Sequence, residues 1–399
     1  MKSPSGVSKK VIYLDQCLLS RMVKMLDPNF PEHRKLRPEF DLDFVKAAFG
    51  KLHRLVKLQL AVCPESPFHH DESSLLDSAK PAAFAQHKRA WELLSCDTSF
   101  RTDSDIRNEQ VVLCATSLPE DSTIHNWDVS QAIEGDLDSW PDSRIQITLN
   151  CRPNKEEIDA NRDLSMRYRE KISGLYDVWR KEKPTFDQVF ERECKALGQC
   201  IIQLLAESVV LRQKMLDGDA SAGIKFFHLS LSEDLGLFHE LTKIFSNHGQ
   251  IEAESQDRAL TFISSDKVKG SPFVRISCAL YAELAQRVIQ GERDGKNDMP
   301  FYDIGSIAAY LPYSHAMFVD RQMHDLLRAR RVAQVVSGFG KAFSVSNKNE
   351  FLGFLDSILS AAPAHHLEMV RRIYGEKWEE PYFEVLVHDE QRSSKTSPN

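Results

Sequence analysis

The chain lacks the short signatures of several large enzyme classes. Its eight cysteines are scattered and form no CxxC pair, which argues against a zinc ribbon and favours a reducing setting. No GxSxG, HExxH or EF-hand loop occurs, and Gly338-Phe-Gly340 lacks the Lys-Ser/Thr and the strand-to-helix context of a phosphate loop. A basic excess is missing too. The 51 Lys and Arg stand against 58 Asp and Glu, a formal net charge of −7. That balance excludes a basic coat for indiscriminate duplex binding, so any nucleic-acid contact needs a local basic patch. No apolar stretch approaches the roughly 20 residues of a membrane span. The richest, Cys200 to Leu211, is interrupted by Gln203, Glu207 and Ser208. The polar, basic start MKSPSGVSKK leads into only four apolar residues, too few for a signal peptide. The expectation is a soluble, cytoplasmic protein with no membrane contact. No internal repeat is found.

What is present is enough for a sizeable core: 42% hydrophobic residues over 399 positions, in one large domain or two to three ordinary ones. Short apolar runs at Val11–Leu14, Leu60–Cys63, Ala316–Val319 and Ala342–Val345 read as buried strands. Helical periodicity falls at 16–25, 40–58, 84–95, 104–116, 272–290 and 349–359. This alternation predicts an α/β fold with a central parallel sheet. The character changes near Leu118. Residues 119–143 are acidic and turn-rich, Arg144 to Cys151 alternates like a strand, and 155–217 and 231–247 read as charged amphipathic helices. The predicted organisation is therefore an α/β domain in two parts, 11–117 and 266–388. A mostly helical insertion or cap, 118–265, lies between them, with flexible tails at 1–10 and 389–399.

Acids punctuate the α/β segments. Val11-Ile-Tyr-Leu14 stops on Asp15, the strand Ala316 to Val319 stops on Asp320, and Asp303 opens a short apolar helix. In a parallel sheet, strands end and helices begin at the carboxyl edge, where open α/β sheets bind ligands. Carboxylates gathered there repel one another, and a divalent cation relieves the repulsion. An oxygen-only ligand set suits Mg²⁺ or Mn²⁺. Such ions lower the pKa of water and neutralise phosphodiester charge. A fourth carboxylate is expected from another strand-to-helix junction. Glu72, nine residues past the second strand, is the best candidate, with Asp71 its competitor. Each acid alone also has an ordinary reading as a helix cap or turn residue; the repetition of one placement at three junctions favours the site.

Four blocks carry a family resemblance. VIYLDQCLLSRM resembles the first strand and helix of PIN-like nucleases, and DMPFYDIGSIAAYLPYSHAMFVDRQMHDLL resembles their later D-I-x-x-I-x-x-x-L-P-Y element. CPESPFHHDES is similar to their P-x-S-x-x-H-x-x-E segment, and FSVSNKNEFLGFLDSI to their closing strand and helix. The resemblance covers roughly residues 11–115 and 270–358. It implies a three-layer α/β/α sheet, Mg²⁺ or Mn²⁺, and hydrolysis of RNA or, less often, DNA. It also implies that Asp15, Glu72, Asp303 and Asp320 are both the metal-binding and the catalytic set. Cys17 stands where the family often has Asn, and Val319 where it often has Thr; both substitutions alter hydrogen bonding around the acids.

Other residues complete the reading. Arg321, Arg328 and Arg331 form a locally basic segment suited to steering phosphate, and His69 beside the mid-chain acid is a candidate substrate contact. A solvated helix face is the alternative for the arginines. Cys17 has no paired base and reads as packing. The expected function is a metal-dependent endonuclease acting most readily on RNA. By analogy it is a toxin or defence effector regulated by a partner protein, by self-association or by the insertion. The alternatives are a catalytically weak binding or scaffold protein on the same fold and a metal-dependent phosphatase of a small substrate.

Overall fold

The computed structural model describes residues 3–26, 42–69, 90–116, 127–140, 170–246, 252–292 and 300–379. Six short strands lie among them: β1 (Lys10–Leu14), β2 (Ala61–Val62), β3 (Ser99–Phe100), β4 (Ile133–Glu134), β5 (Ala316–Phe318) and β6 (Lys341–Phe343). Four of them build one all-parallel sheet in the order β2-β1-β5-β6. Ile12 lies opposite Ala316 and Leu14 opposite Phe318. The other two form an antiparallel ribbon, and an isolated parallel bridge from Glu65 to Ser99 ties that ribbon to the chain leaving β2.

β1 is apolar on both sides because both sides are covered. Val11 and Tyr13 join one hydrophobic cluster with Met317 and Val319, whereas Ile12 and Leu14 join a second with Ala316 and Phe318. Helices α1 (Gln16–Leu26) and α2 (Leu42–Lys57) belong to the second cluster, through Leu18, Met22, Phe49 and Leu52. Residues 90–95 add a helical turn that buries Trp91 and Leu94 there. Next in the chain, α3 (Asp103–Thr116) follows β3.

The segment expected as an insertion is helical where it is described. Residues 170–182 form a helix, followed by α4 (Phe186–Leu216), α5 (Ala220–Ser230), α6 (Glu233–Phe245) and α7 (Glu252–Ile263). Thr185 and Gln188 close a reciprocal capping box at the start of α4. Gly218, at a φ of 95° that side-chain-bearing residues rarely adopt, turns the chain between α4 and α5. The sequence pattern placed no helix at 220–230. This segment also shares the core. Ile172, Tyr176, Trp179 and Val189 lie in the same cluster as Val11 and Tyr13, and Cys194 and Ile201 pack with Leu237, Phe262 and Val274 in a third. Gly198 allows the close approach, since a Cβ there would stand 3.1 Å from Ser264 Oγ and 3.3 Å from the carbonyl of Ile263.

The remaining helices are α8 (Pro272–Ile289), α9 (Pro300–Tyr310), α10 (Arg321–Leu327), α11 (Arg330–Val336), α12 (Lys348–Ser360) and α13 (Ala364–Tyr374). α8 and α9 supply the first cluster with Leu280, Leu284, Ile304 and Ile307. Tyr310, Tyr313 and Phe318 are all buried in the core. Arg144–Cys151, expected as a strand, lies outside the described residues.

One expectation is corrected. α4 is long and apolar enough to cross a membrane by length and composition, with 22% of its apolar window buried. Its mean hydropathy stays high because the interrupting Gln203, Glu207 and Ser208 are outnumbered by aliphatic neighbours.

Candidate functional site

The strand order reverses direction between β1 and β5: from β1 the chain moves outward to β2, and it re-enters on the opposite side at β5 and continues to β6. At such a switch point the connections leave in opposite directions and open a crevice at the carboxyl ends of the two strands. Asp15 follows β1 and Asp320 follows β5 by two residues, so both acids lie at the mouth of that crevice. They touch through the backbone. The Asp320 N–H donates to Asp15 Oδ2 at 3.1 Å, and the Asp15 N–H donates to the Phe318 carbonyl at 2.8 Å.

Each acid also starts a helix. Asp15 Oδ1 accepts the Cys17 N–H at 3.2 Å at the head of α1, and Asp320 Oδ1 accepts the Met323 N–H at 2.6 Å at the head of α10. These bonds fix the carboxylates in orientation. They do not balance the charge. Crowding by protein, and then the neighbouring Asp320, push the Asp15 pKa from 3.8 up to about 6, against the lowering effect of its hydrogen bonds. The half-buried Cys17 thiol is driven well above its ordinary value by burial and then by Asp15, Asp320 and Asp303. It is therefore a protonated thiol, unsuited as a nucleophile. Asp303 also raises the Cys17 thiol, less than the two edge acids do.

Asp303 sits in the first turn of α9, three residues inside a helix that begins at Pro300 rather than at its opening position. Phe68, in the turn after β2, packs edge-on against Tyr302 at 6.1 Å and lies 3.3 Å from where a Cβ on Gly305 would stand. Phe68, six residues beyond β2, thus packs against the helix that carries Asp303. Glu72 and its competitor Asp71 lie outside the described residues, as does Asp298.

The substrate-contact candidates divide. Arg321 follows Asp320 directly, is exposed, and approaches Asp325 at 4.0 Å. Arg328 is exposed at the end of α10. Arg331 turns to another element, bonding Asp187 at 2.8 Å and stacking over Phe186 at 4.8 Å. His69 is 1% exposed, bonds Ser66 Oγ through Nδ1 at 2.8 Å, and stacks on Tyr13 at 5.1 Å. As placed, its ring packs the core.

One acid went unnoticed in the sequence. Asp103 heads α3, three residues after the end of the two-residue strand β3, and its Oδ2 lies 3.8 Å from where a Cβ on Gly305 would stand. Burial, and then Glu233, raise its pKa against the opposing Arg107. Its signal was the DSD run at 103–105 after Ser99-Phe100.

The donor set is hard oxygen, with an acid whose charge the protein opposes, and that chemistry fits a divalent cation. Among the described residues, however, no three His, Cys, Asp or Glu side chains converge closely enough to enclose an ion. The three aspartates share a field without closing a ligand shell. In comparisons with known proteins, no family model, no characterised sequence and no solved structure matches the chain.

Proposed function

We propose that the chain is a metal-dependent phosphodiesterase acting on nucleic acid, with RNA favoured over DNA, built on a three-layer PIN-like α/β/α domain. The observation that supports this most is the meeting of Asp15 and Asp320 at the switch point of a parallel sheet, with Asp303 in the same field. In this reading Asp15, Asp320 and Asp303 hold Mg²⁺ or Mn²⁺, and Glu72 completes the set.

When bound, the cation supplies Lewis-acid charge for a phosphodiester oxygen and for the attacking water. The chain's own residues do the positioning. Backbone N–H groups of Cys17, Asp320 and Met323 hold the Asp15 and Asp320 carboxylates in place. Arg321 and Arg328 steer the backbone of the strand towards the edge by charge. Val319, next to Asp320, is buried, and Cys17 beside Asp15 is half-buried. A toxin or defence role, a cytoplasmic setting and control by a protein partner belong to the same reading by analogy.

A fluorescent RNA oligonucleotide incubated with Mn²⁺ and, separately, with chelator tests the proposal. Cleavage with Mn²⁺ that chelator abolishes is the expected result. Intact RNA beside turnover of a phosphomonoester would replace it with the phosphatase reading. Intact RNA that binds tightly would favour the binding-protein reading.

A further inference from the structure

Eight of the ten large apolar side chains exposed among the described residues lie between Ile202 and Leu231, on the distal half of α4 and on α5. Val209, Leu216, Ile224, Phe227 and Leu231 are 60–70% exposed. Over residues 202–231 only Leu211 and Ala222 are buried. An isolated 11-residue helix such as α5 is marginal in water, and one with apolar residues on several faces requires cover. The hairpin therefore carries an apolar surface that its own two helices do not bury.

Two features identify the cover. The first is area. The eight exposed fractions, 40–70% each, sum to several hundred Å², comparable with the roughly 800 Å² that each partner buries in a standard interface. The second is charge. Residues 200–231 hold three acids, Glu207, Asp217 and Asp219, and three bases, Arg212, Lys214 and Lys225. A balanced set can complement itself across a two-fold axis, whereas adsorption to anionic lipid requires a basic rim. The open part of α4 is too short to cross a bilayer unless the anchored proximal half leaves the protein. The proximal part of α4 is bound into the protein by Val189, Cys194, Gly198 and Ile201. The open part, 202–216, spans only about 22 Å at 1.5 Å per residue, against about 30 Å of hydrocarbon.

We propose that the α4–α5 hairpin is a homodimerisation element, in which the hairpins of two copies pack into a four-helix bundle. This inference is independent of the phosphodiesterase reading. Light scattering coupled to size-exclusion chromatography on the full chain at about 20 µM tests it, together with the double variant Leu216→Glu/Phe227→Glu and the control Ile373→Glu. Ile373 is 52% exposed and lies outside the patch. The wild type and the control should run at twice the chain mass. The double variant should run as a monomer with an unchanged circular-dichroism spectrum, its dimer weakened about 100-fold or more. A monomeric wild type, or a dimer indifferent to the double substitution, overturns the proposal. So does a monomer that sediments with 3:1 phosphatidylcholine–phosphatidylglycerol vesicles through the same residues.

Discussion

Replacing Asp320 by Asn separates its two roles. Asn caps a helix as well as Asp does, so the bond to the Met323 N–H at 2.6 Å survives while the charge facing Asp15 is removed. Ala removes both, and loss of the cap costs about 1 kcal/mol. The Asp15 carboxyl has a pKa of about 6 in the folded protein against a reference 3.8. A shift of that size corresponds to about 3 kcal/mol at full ionisation. Burial is its largest cause and Asp320 the second, so removing the Asp320 charge should return about 1 kcal/mol. Because the folded-state pKa is raised, folding takes up a proton between these values. The stability this contributes is complete below 3.8 and is lost as pH rises through about 6.

Urea unfolding of metal-free protein from pH 4 to pH 8 reads the effect. Asp320→Asn should match the wild type at pH 4, exceed it by about 1 kcal/mol at pH 7.5 and show a flatter pH profile. Asp320→Ala should fall below Asp320→Asn at both ends. Added Mg²⁺ should stabilise the wild type by about 2.7 kcal/mol at a hundredfold excess over its dissociation constant, and stabilise Asp320→Asn much less. If Asp320→Asn follows the wild-type pH profile throughout, or gains equally from Mg²⁺, the residue is only a helix cap and the repulsion argument fails.

Asp303→Asn should leave the unfolding midpoint unchanged and reduce Mn²⁺-dependent RNA cleavage by more than about 100-fold; full activity would remove Asp303 from the site. Joint replacement of Arg321 and Arg328 by Ala should weaken RNA binding most at low salt and reduce the slope of log affinity against log salt by about 1–2, measured by fluorescence anisotropy. An unchanged slope would make them solvated surface. Gly340→Ala should destabilise by about 2–4 kcal/mol, because its Cβ would collide with the Ser314 carbonyl oxygen where β6 begins beside β5. An unchanged denaturation midpoint would mean that the two strands separate freely.

The edge placement of Asp15 and Asp320 was legible because it needs only two local facts, an apolar run and the acid that ends it, and one rule about parallel sheets. Asp303 was legible as a helix-start residue but not in its turn, since Pro300 rather than the acid sets the first helical position. β3 and Asp103 were missed because a two-residue strand has no periodicity. Its position depends on Glu65, more than thirty residues earlier. The orientation of Arg331 was equally hidden: its partner Asp187 is 144 residues away. The α4–α5 surface escaped notice because an amphipathic pattern does not say which apolar face finds a neighbour.

The pairing of β1 with β5 also bears on how the chain is made. Asp15 and Asp320, which join the ends of these strands, are 305 residues apart in sequence. At about 5–20 residues per second, β1 leaves the ribosome roughly 15–60 s before its central neighbour exists. Throughout that interval β1, whose Val11, Ile12 and Leu14 are fully buried in the finished protein, has α1 and α2 to cover one face but only β2 to pair with, and its β5 edge stays open. Closing so long a loop adds little to the equilibrium cost but slows assembly. Biosynthesis therefore runs through a nascent state with an open apolar strand edge, the kind of surface that chaperones hold and that aggregates in their absence.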